Sequence, residues 1–249
     1  MISKTTLERL RTFNIPGIVD ALLNETGHGM SFEDRLTILV DYEHTRRANV
    51  RINRLLKQAK LPSSASIEEV DFGVQRSLNK SAFLELLQGQ WLSSGHNIII
   101  TGPTGAGKTF LASVLTRSLC LNGFQASYMR LHHWLAEFVL LQEQRRFPKS
   151  VTALHKIPLL VFDEWLRDPI SQLEARLLLD LFDDRYKRLS CLFISQIPVS
   201  DWHARFVDPT LADAILDRIV HNASRFELDG DSLRIPQGKR DTSLRSVNS

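Results

Sequence analysis

The 249-residue sequence predicts an α/β fold, a three-layer arrangement in which a parallel sheet is flanked by helices, with a small all-helical N-terminal domain in front. Three observations carry that expectation. Short apolar runs alternate with helical stretches after residue 67, one of these runs leads through a glycine-rich loop into a helix, and the apolar residues before residue 62 recur at helical spacing.

Within residues 5–60, Leu7, Leu10, Ile15, Ile18 and Leu22, then Leu36, Leu39 and Val40, fall at helical spacing. Thr26-Gly27-His28-Gly29 supplies turn chemistry between the two stretches. Ser31 followed by Asp34 opens the second stretch like a capping box with Asp in place of Glu. Pro62-Ser63-Ser64-Ala65-Ser66 reads as a short linker, so residues 1–62 are expected as one domain and 67–235 as a second. Residues 236–249 are polar, with little to bury, and are expected as a flexible tail. The strand candidates are 97–101, 124–130, 159–164 and 191–196.

Composition bounds the function. A hydrophobic fraction of 43% supports a sizeable core, and a net charge of only +3 excludes a polybasic protein, so an acidic partner has to be met by a local patch. Cys120 and Cys191 stand apart in apolar runs without a CxxC partner and read as reduced packing residues. The start of the chain lacks a signal-peptide apolar stretch and no run reaches transmembrane length, so a cytoplasmic protein with no membrane partner is expected.

Gly102-Pro103-Thr104-Gly105-Ala106-Gly107-Lys108-Thr109 lies between a strand and a helix, the context a phosphate-binding loop requires. Its backbone N–H groups and the following helix N-terminus suit phosphates; Lys108 is the ligand for the β and γ phosphates, Thr109 a ligand for Mg²⁺, and Phe110 joins the nucleotide-binding candidates. A glycine turn that merely links strand to helix has no need of Gly-Lys-Thr at its end.

Leu159-Leu160-Val161-Phe162-Asp163-Glu164 is an apolar strand ending in two carboxylates. Alone it is compatible with solvated acids; beside the loop it assigns Asp163 to Mg²⁺ and Glu164 to the proton of the attacking water, with ATP as the nucleotide. Ser195 and Gln196 end another strand on the ligand side of the sheet, where they either orient that water or are ordinary strand-end polarity.

With these motifs, Ser195-Gln196-Ile197-Pro198 and the segment 214–221 in view, the chain resembles the IstB-type transposition helper ATPases, relatives of the DnaC helicase loaders, over residues 5–235. The resemblance implies an AAA+ P-loop fold, an ATP-dependent homo-oligomer on double-stranded DNA, and a DDE-type transposase as partner. It also implies that Arg218 is an arginine finger reaching the neighbouring subunit's nucleotide, and that Arg234 is a second nucleotide-sensing arginine; the other reading of Arg234 is a solvated tail residue. Trp165 departs from the small or aliphatic residue common after Asp-Glu, and Gln196 from the Asn of helicase loaders, which favours the transposition branch.

Arg46, Arg47, Arg51, Arg54 and Lys57 fall in the run 44–61, which has no acidic residue, and Arg145, Arg146 and Lys149 form a second basic cluster. Both are candidates for sequence-tolerant phosphate contacts on DNA, and both are also compatible with solvated surface. His132-His133, with no accompanying ligand, is not expected to hold a metal. The alternative functions are a helicase loader, a non-hydrolysing architectural DNA protein and a small-molecule kinase.

Overall fold

The computed structural model describes residues 3–24, 26–27, 29–73, 78–143 and 154–229. Arg145, Arg146, Lys149, Arg234 and the tail 236–249 lie outside these residues. By its contacts the chain divides into two compact units, Met1–Leu55 and Leu56–Ser249.

The first unit is helical. Helix α1, Lys4–Thr12, is capped by Ser3, whose side chain accepts from the Thr6 N–H. Helix α2, Pro16–Leu23, opens with Pro at its first turn, where a missing N–H costs nothing. Helix α3, Phe32–Ala59, begins at Ser31, whose hydroxyl accepts from the Asp34 N–H at 3.2 Å and donates to the Asp34 carboxylate at 2.6 Å. Asp is one methylene shorter than Glu, and here its carboxylate is taken up by the Ser31 hydroxyl. Lys60, in the left-handed region at φ 53°, ends α3.

The residues that bury themselves in this unit are not the ones the spacing singles out. Leu36 and Val40 remain about half exposed, whereas Gly17, Val19, Ala21 and Glu43 are buried. Gly17 has to be glycine because a Cβ there would lie 2.8 Å from Glu43 Oε2 and 2.9 Å from Glu43 Cα.

The second unit is built on a five-stranded sheet: β1 Asn97–Thr101, β2 Ala126–Arg130, β3 Leu159–Asp163, β4 Ser190–Ser195 and β5 Ala223–Glu227. All pairings are parallel and the strand order is β2-β3-β4-β1-β5. The three central strands are buried along their whole length, which is why they read as continuous apolar runs. The 124–130 candidate starts two residues late because Gly123 and Phe124 close the preceding helix with bonds to Cys120 O and Leu119 O. The edge strand β5 has no counterpart in the sequence reading; it is only partly buried and carries Ser, Arg and Glu.

Helix α4, Lys80–Leu87, precedes the sheet, and α5, Lys108–Leu121, α6, Leu131–Glu143, α7, Gln172–Arg185, and α8, Pro209–Val220, connect its strands. A capping box of Ser171 and Glu174 starts α7. Phe162 and Phe193 stack at 5.6 Å, and Trp165 packs edge-on to Phe193 at 4.7 Å and to Trp202 at 6.0 Å. Beside this core, the buried Arg185 donates to the carbonyls of Leu154, Ile157, Pro158 and Ser190, and its Nε donates to Cys191 Sγ at 3.4 Å. Both cysteines are buried and free.

The order of strands matters for ligands. The chain leaves β1 for the far edge at β2 and returns through β3 and β4 before crossing to β5, so the crevice beyond the C-terminal ends of β1, β3 and β4 is the switch point where open α/β sheets bind ligands.

Candidate nucleotide-binding site

At that crevice lies a cavity of about 600 Å³. Its wall is formed by the loop and the first turn of α5 (Thr104, Gly105, Gly107, Lys108, Thr109, Phe110), by Asp163 and Glu164 after β3, and by Gln196 after β4. Gly102 packs behind the loop at φ 145°, where a Cβ would meet Leu228 O at 2.4 Å, and the Ala106 N–H bonds to Pro103 O at 3.3 Å. The Lys108 ammonium is held by the carbonyls of Gly102 and Pro103, both at 2.7 Å. Thr104 donates to Gln196 Oε1 at 2.8 Å, so the side chain of Gln196 is fixed over the loop.

Asp163 is buried and carries three donors. The Glu164 N–H bonds to Oδ1 at 2.8 Å, Thr109 Oγ1 donates to Oδ2 at 3.1 Å, and the Tyr128 hydroxyl donates to the same oxygen. Burial first, and then the Asp163 charge, push the Tyr128 hydroxyl well above its ordinary pKa, so it stays protonated. Thr109 and Asp163 are adjacent hard oxygen donors beside a phosphate loop, a set that suits Mg²⁺.

Glu164 stands in the left-handed region at φ 56°, as does Leu166 at φ 57°. The surroundings impose that turn: the Trp165 N–H bonds to Ile194 O at 2.8 Å, Ser195 Oγ donates to Trp165 O at 2.7 Å, and Arg205 Nε donates to Leu166 O at 3.0 Å. The Glu164 carboxylate accepts from Arg167 at 2.6 Å, and Arg167 also bonds to Asp168. His132 Nδ1 lies 3.2 Å from the same Glu164 oxygen without hydrogen-bond alignment, and burial, then Arg167 and His133, hold its pKa below the ordinary value.

The structure therefore corrects one expectation. Ser195 is fully buried, its hydroxyl donates to Trp165 O and accepts from the Ile197 N–H at 3.1 Å, so it braces the turn after β3 instead of facing a water. Arg218 is not on the wall of this cavity; it donates to Ala214 O of its own helix at 2.6 Å and ion-pairs with Asp183, a carboxylate that the neighbouring helix provides. The stretch expected as a linker contributes Pro62 and Ser63 to the cavity wall, and Glu69 follows. Tyr128, Arg130 and Arg167 were missed, because a cross-strand alignment and a turn bring them in.

Along α3, Arg47 donates to Glu43 at 2.6 Å and to Asn14 O at 3.0 Å, and Arg46 lies 3.8 Å from Asp20. Acids outside the basic run thus engage both. Arg51, Arg54 and Lys57 are exposed.

The sheet order, the loop and the paired acids define a P-loop protein of the AAA+ class. The chain belongs to the family of IstB-like ATP-binding proteins, which matches residues 8–241. It is 34% identical over 244 residues to an insertion-sequence ATP-binding protein of Sinorhizobium fredii (strain NBRC 101917 / NGR234), covering 96% of this chain and all of that one. It is 32% identical to the IS1162 ATP-binding protein of Pseudomonas fluorescens, covering 84% of this chain and 93% of that protein. Among solved structures, DnaI matches with TM-score 0.57 at 17% identity, over 73% of this chain and 93% of that chain. The DnaC helicase loader matches with TM-score 0.53 at 15% identity, over 70% and 98%. AMPPCP-bound DnaA from Aquifex aeolicus matches with TM-score 0.56 at 17% identity, over 69% and 52%. At these identities the structural likeness shows the fold.

Proposed function

We propose that this protein is a DNA-stimulated ATPase that serves transposition: it assembles on duplex target DNA, hydrolyses ATP with Mg²⁺, and recruits or activates a DDE-type transposase. The observation that carries this reading is the convergence of Lys108, Thr109, Asp163, Glu164 and Gln196 on one cavity in a chain of the IstB-like family. Its relatives, which are insertion-sequence ATP-binding proteins, support the transposition context.

In this reading the Lys108 ammonium exchanges its two carbonyl partners for the β and γ phosphates of ATP. Thr109 and Asp163 would hold Mg²⁺, which when bound neutralises charge between the two phosphates. Glu164 accepts the proton of the attacking water once its carboxylate leaves Arg167, and Gln196, already fixed over the loop, orients that water. Arg218, on the outside of its own site, reaches the nucleotide of a neighbouring subunit. Arg51, Arg54 and Lys57 on α3 meet DNA phosphates, with Arg145, Arg146 and Lys149 as a second set and Arg234 as a further nucleotide contact.

ATP turnover with and without duplex DNA tests the proposal. Glu164→Gln is expected to bind ATP yet lose roughly 10²- to 10⁴-fold in turnover. A folded wild-type protein that releases no phosphate in Mg²⁺, with or without DNA, would overturn the enzymatic claim. The likeness to DnaI and the DnaC loader favours one second reading, a loader of a replicative helicase. Capture of a hexameric helicase without a transposase would select it.

A further inference from the structure

Tyr128 stands opposite Val161 in the β2–β3 register, one place to the side of Asp163 on the same face of the pair, and its side chain crosses that diagonal to the carboxylate. Phenylalanine would fill the same space. A buried hydroxyl has to be repaid by a hydrogen bond, and this one is directed at the oxygen that also accepts from Thr109. Oδ1 is fixed by the Glu164 N–H, so donors hold both oxygens of Asp163 and the plane of the carboxylate is set from three sides.

We propose that Tyr128 is a positioning residue for Asp163: its hydroxyl holds the carboxylate in the orientation that, together with Thr109, receives the divalent cation of the bound nucleotide. The Thr109 oxygen keeps its proton, donated in a hydrogen bond to Asp163, and still has lone pairs to offer a cation. Without Tyr128, the far side of Oδ2 loses its restraint, and the carboxylate turns about its side-chain bonds at the moment a cation needs a fixed ligand. Outer-shell hydrogen bonds of this kind typically govern about 10- to 100-fold in metal affinity.

This rests on the ATP–Mg²⁺ reading of the cavity, and the test separates the two. Binding of a non-hydrolysable ATP analogue to the full chain is measured in Mg²⁺ and in EDTA, and the ratio of the two affinities is the gain due to the cation. Tyr128→Phe is expected to reduce that gain about 10-fold while leaving the affinity in EDTA and the melting temperature close to wild type. Tyr128→Met, which removes the hydroxyl with a differently shaped apolar side chain, gives the same result. In an Asp163→Asn background Tyr128→Phe is expected to cost nothing further, because the residue acts through that carboxylate.

An unchanged gain overturns the proposal, as does an equal loss in Mg²⁺ and EDTA, which makes Tyr128 part of the pocket wall only. A further loss in the Asp163→Asn background also overturns it. If the wild type binds the analogue without any gain from Mg²⁺, the metal reading fails and this proposal with it. If the wild type does not bind the analogue, the nucleotide reading itself fails.

Discussion

Glu164, the residue proposed to take the proton of the attacking water, is ion-paired with Arg167 three positions on, and that pair competes with the task. Arg167 is partly exposed, and pairs of this kind are worth roughly 0–1 kcal/mol. Arg167→Ala is therefore expected to raise turnover in the absence of DNA by up to about 5-fold, read as phosphate release by the full chain. A fall in turnover would instead place Arg167 among the groups that help the reaction. Asp163 and Glu164 were legible in the sequence because an apolar strand that ends in two acids beside a Gly-Lys-Thr loop has few other uses. Arg167 and Tyr128 were not. One reaches Glu164 only because the chain turns back through two left-handed residues, and the other reaches Asp163 only because β2 pairs with β3 in one particular register. Ser195 shows the converse: its place at a strand end was right, and the direction of its hydroxyl belongs to the turn it braces.

At the scale of elements, the central strands and the helices follow from apolar patterning, while the contacts between helices do not. The α2–α3 crossing depends on Glu43, which accepts from the Gly17 N–H at 2.7 Å and from Arg47 at 2.6 Å. Burial pushes this carboxyl up, but the hydrogen bonds to Arg47 and Gly17 outweigh it and hold the pKa below the ordinary value. A depressed folded pKa means stability that is complete at neutral pH and lost as the pH falls below the usual carboxylate range towards the folded value. Glu43→Gln is expected to cost about 1–3 kcal/mol at pH 7, and its difference from wild type in helix melting should shrink as the pH is taken from about 6 to about 3. A difference independent of pH would remove the charge from the explanation. Sequence could not foresee this tie, since Gly17 and Glu43 are far apart in the chain, and so Arg47 was read only as a DNA contact or a solvated residue and not as a partner of Glu43. The strand β5 escaped notice for a related reason: as an edge strand it needs no apolar run.

For the whole molecule, the question is whether one copy suffices. Asn97 on β1 accepts from the Cys191 N–H at 2.9 Å and donates to Ile219 O at 3.2 Å, so the end of α8 that carries Arg218 is anchored to the centre of the sheet. An arginine mounted there and absent from the wall of its own cavity suits action between copies. If so, Lys108→Ala and Arg218→Ala should each be inactive alone, and their mixture should recover turnover at those interfaces that join an intact cavity to an intact arginine. A mixture as inactive as its parts would refute the arrangement. Such mixing experiments call for labels, and the fold already supplies a quiet background for them. Cys120 is pushed up to about 11 by burial, and the Cys191 thiol is likewise raised despite Arg185 beside it. With both thiols enclosed and protonated, a maleimide dye or crosslinker should react only at a cysteine introduced on the surface, so distances between copies can be followed without first replacing the native residues.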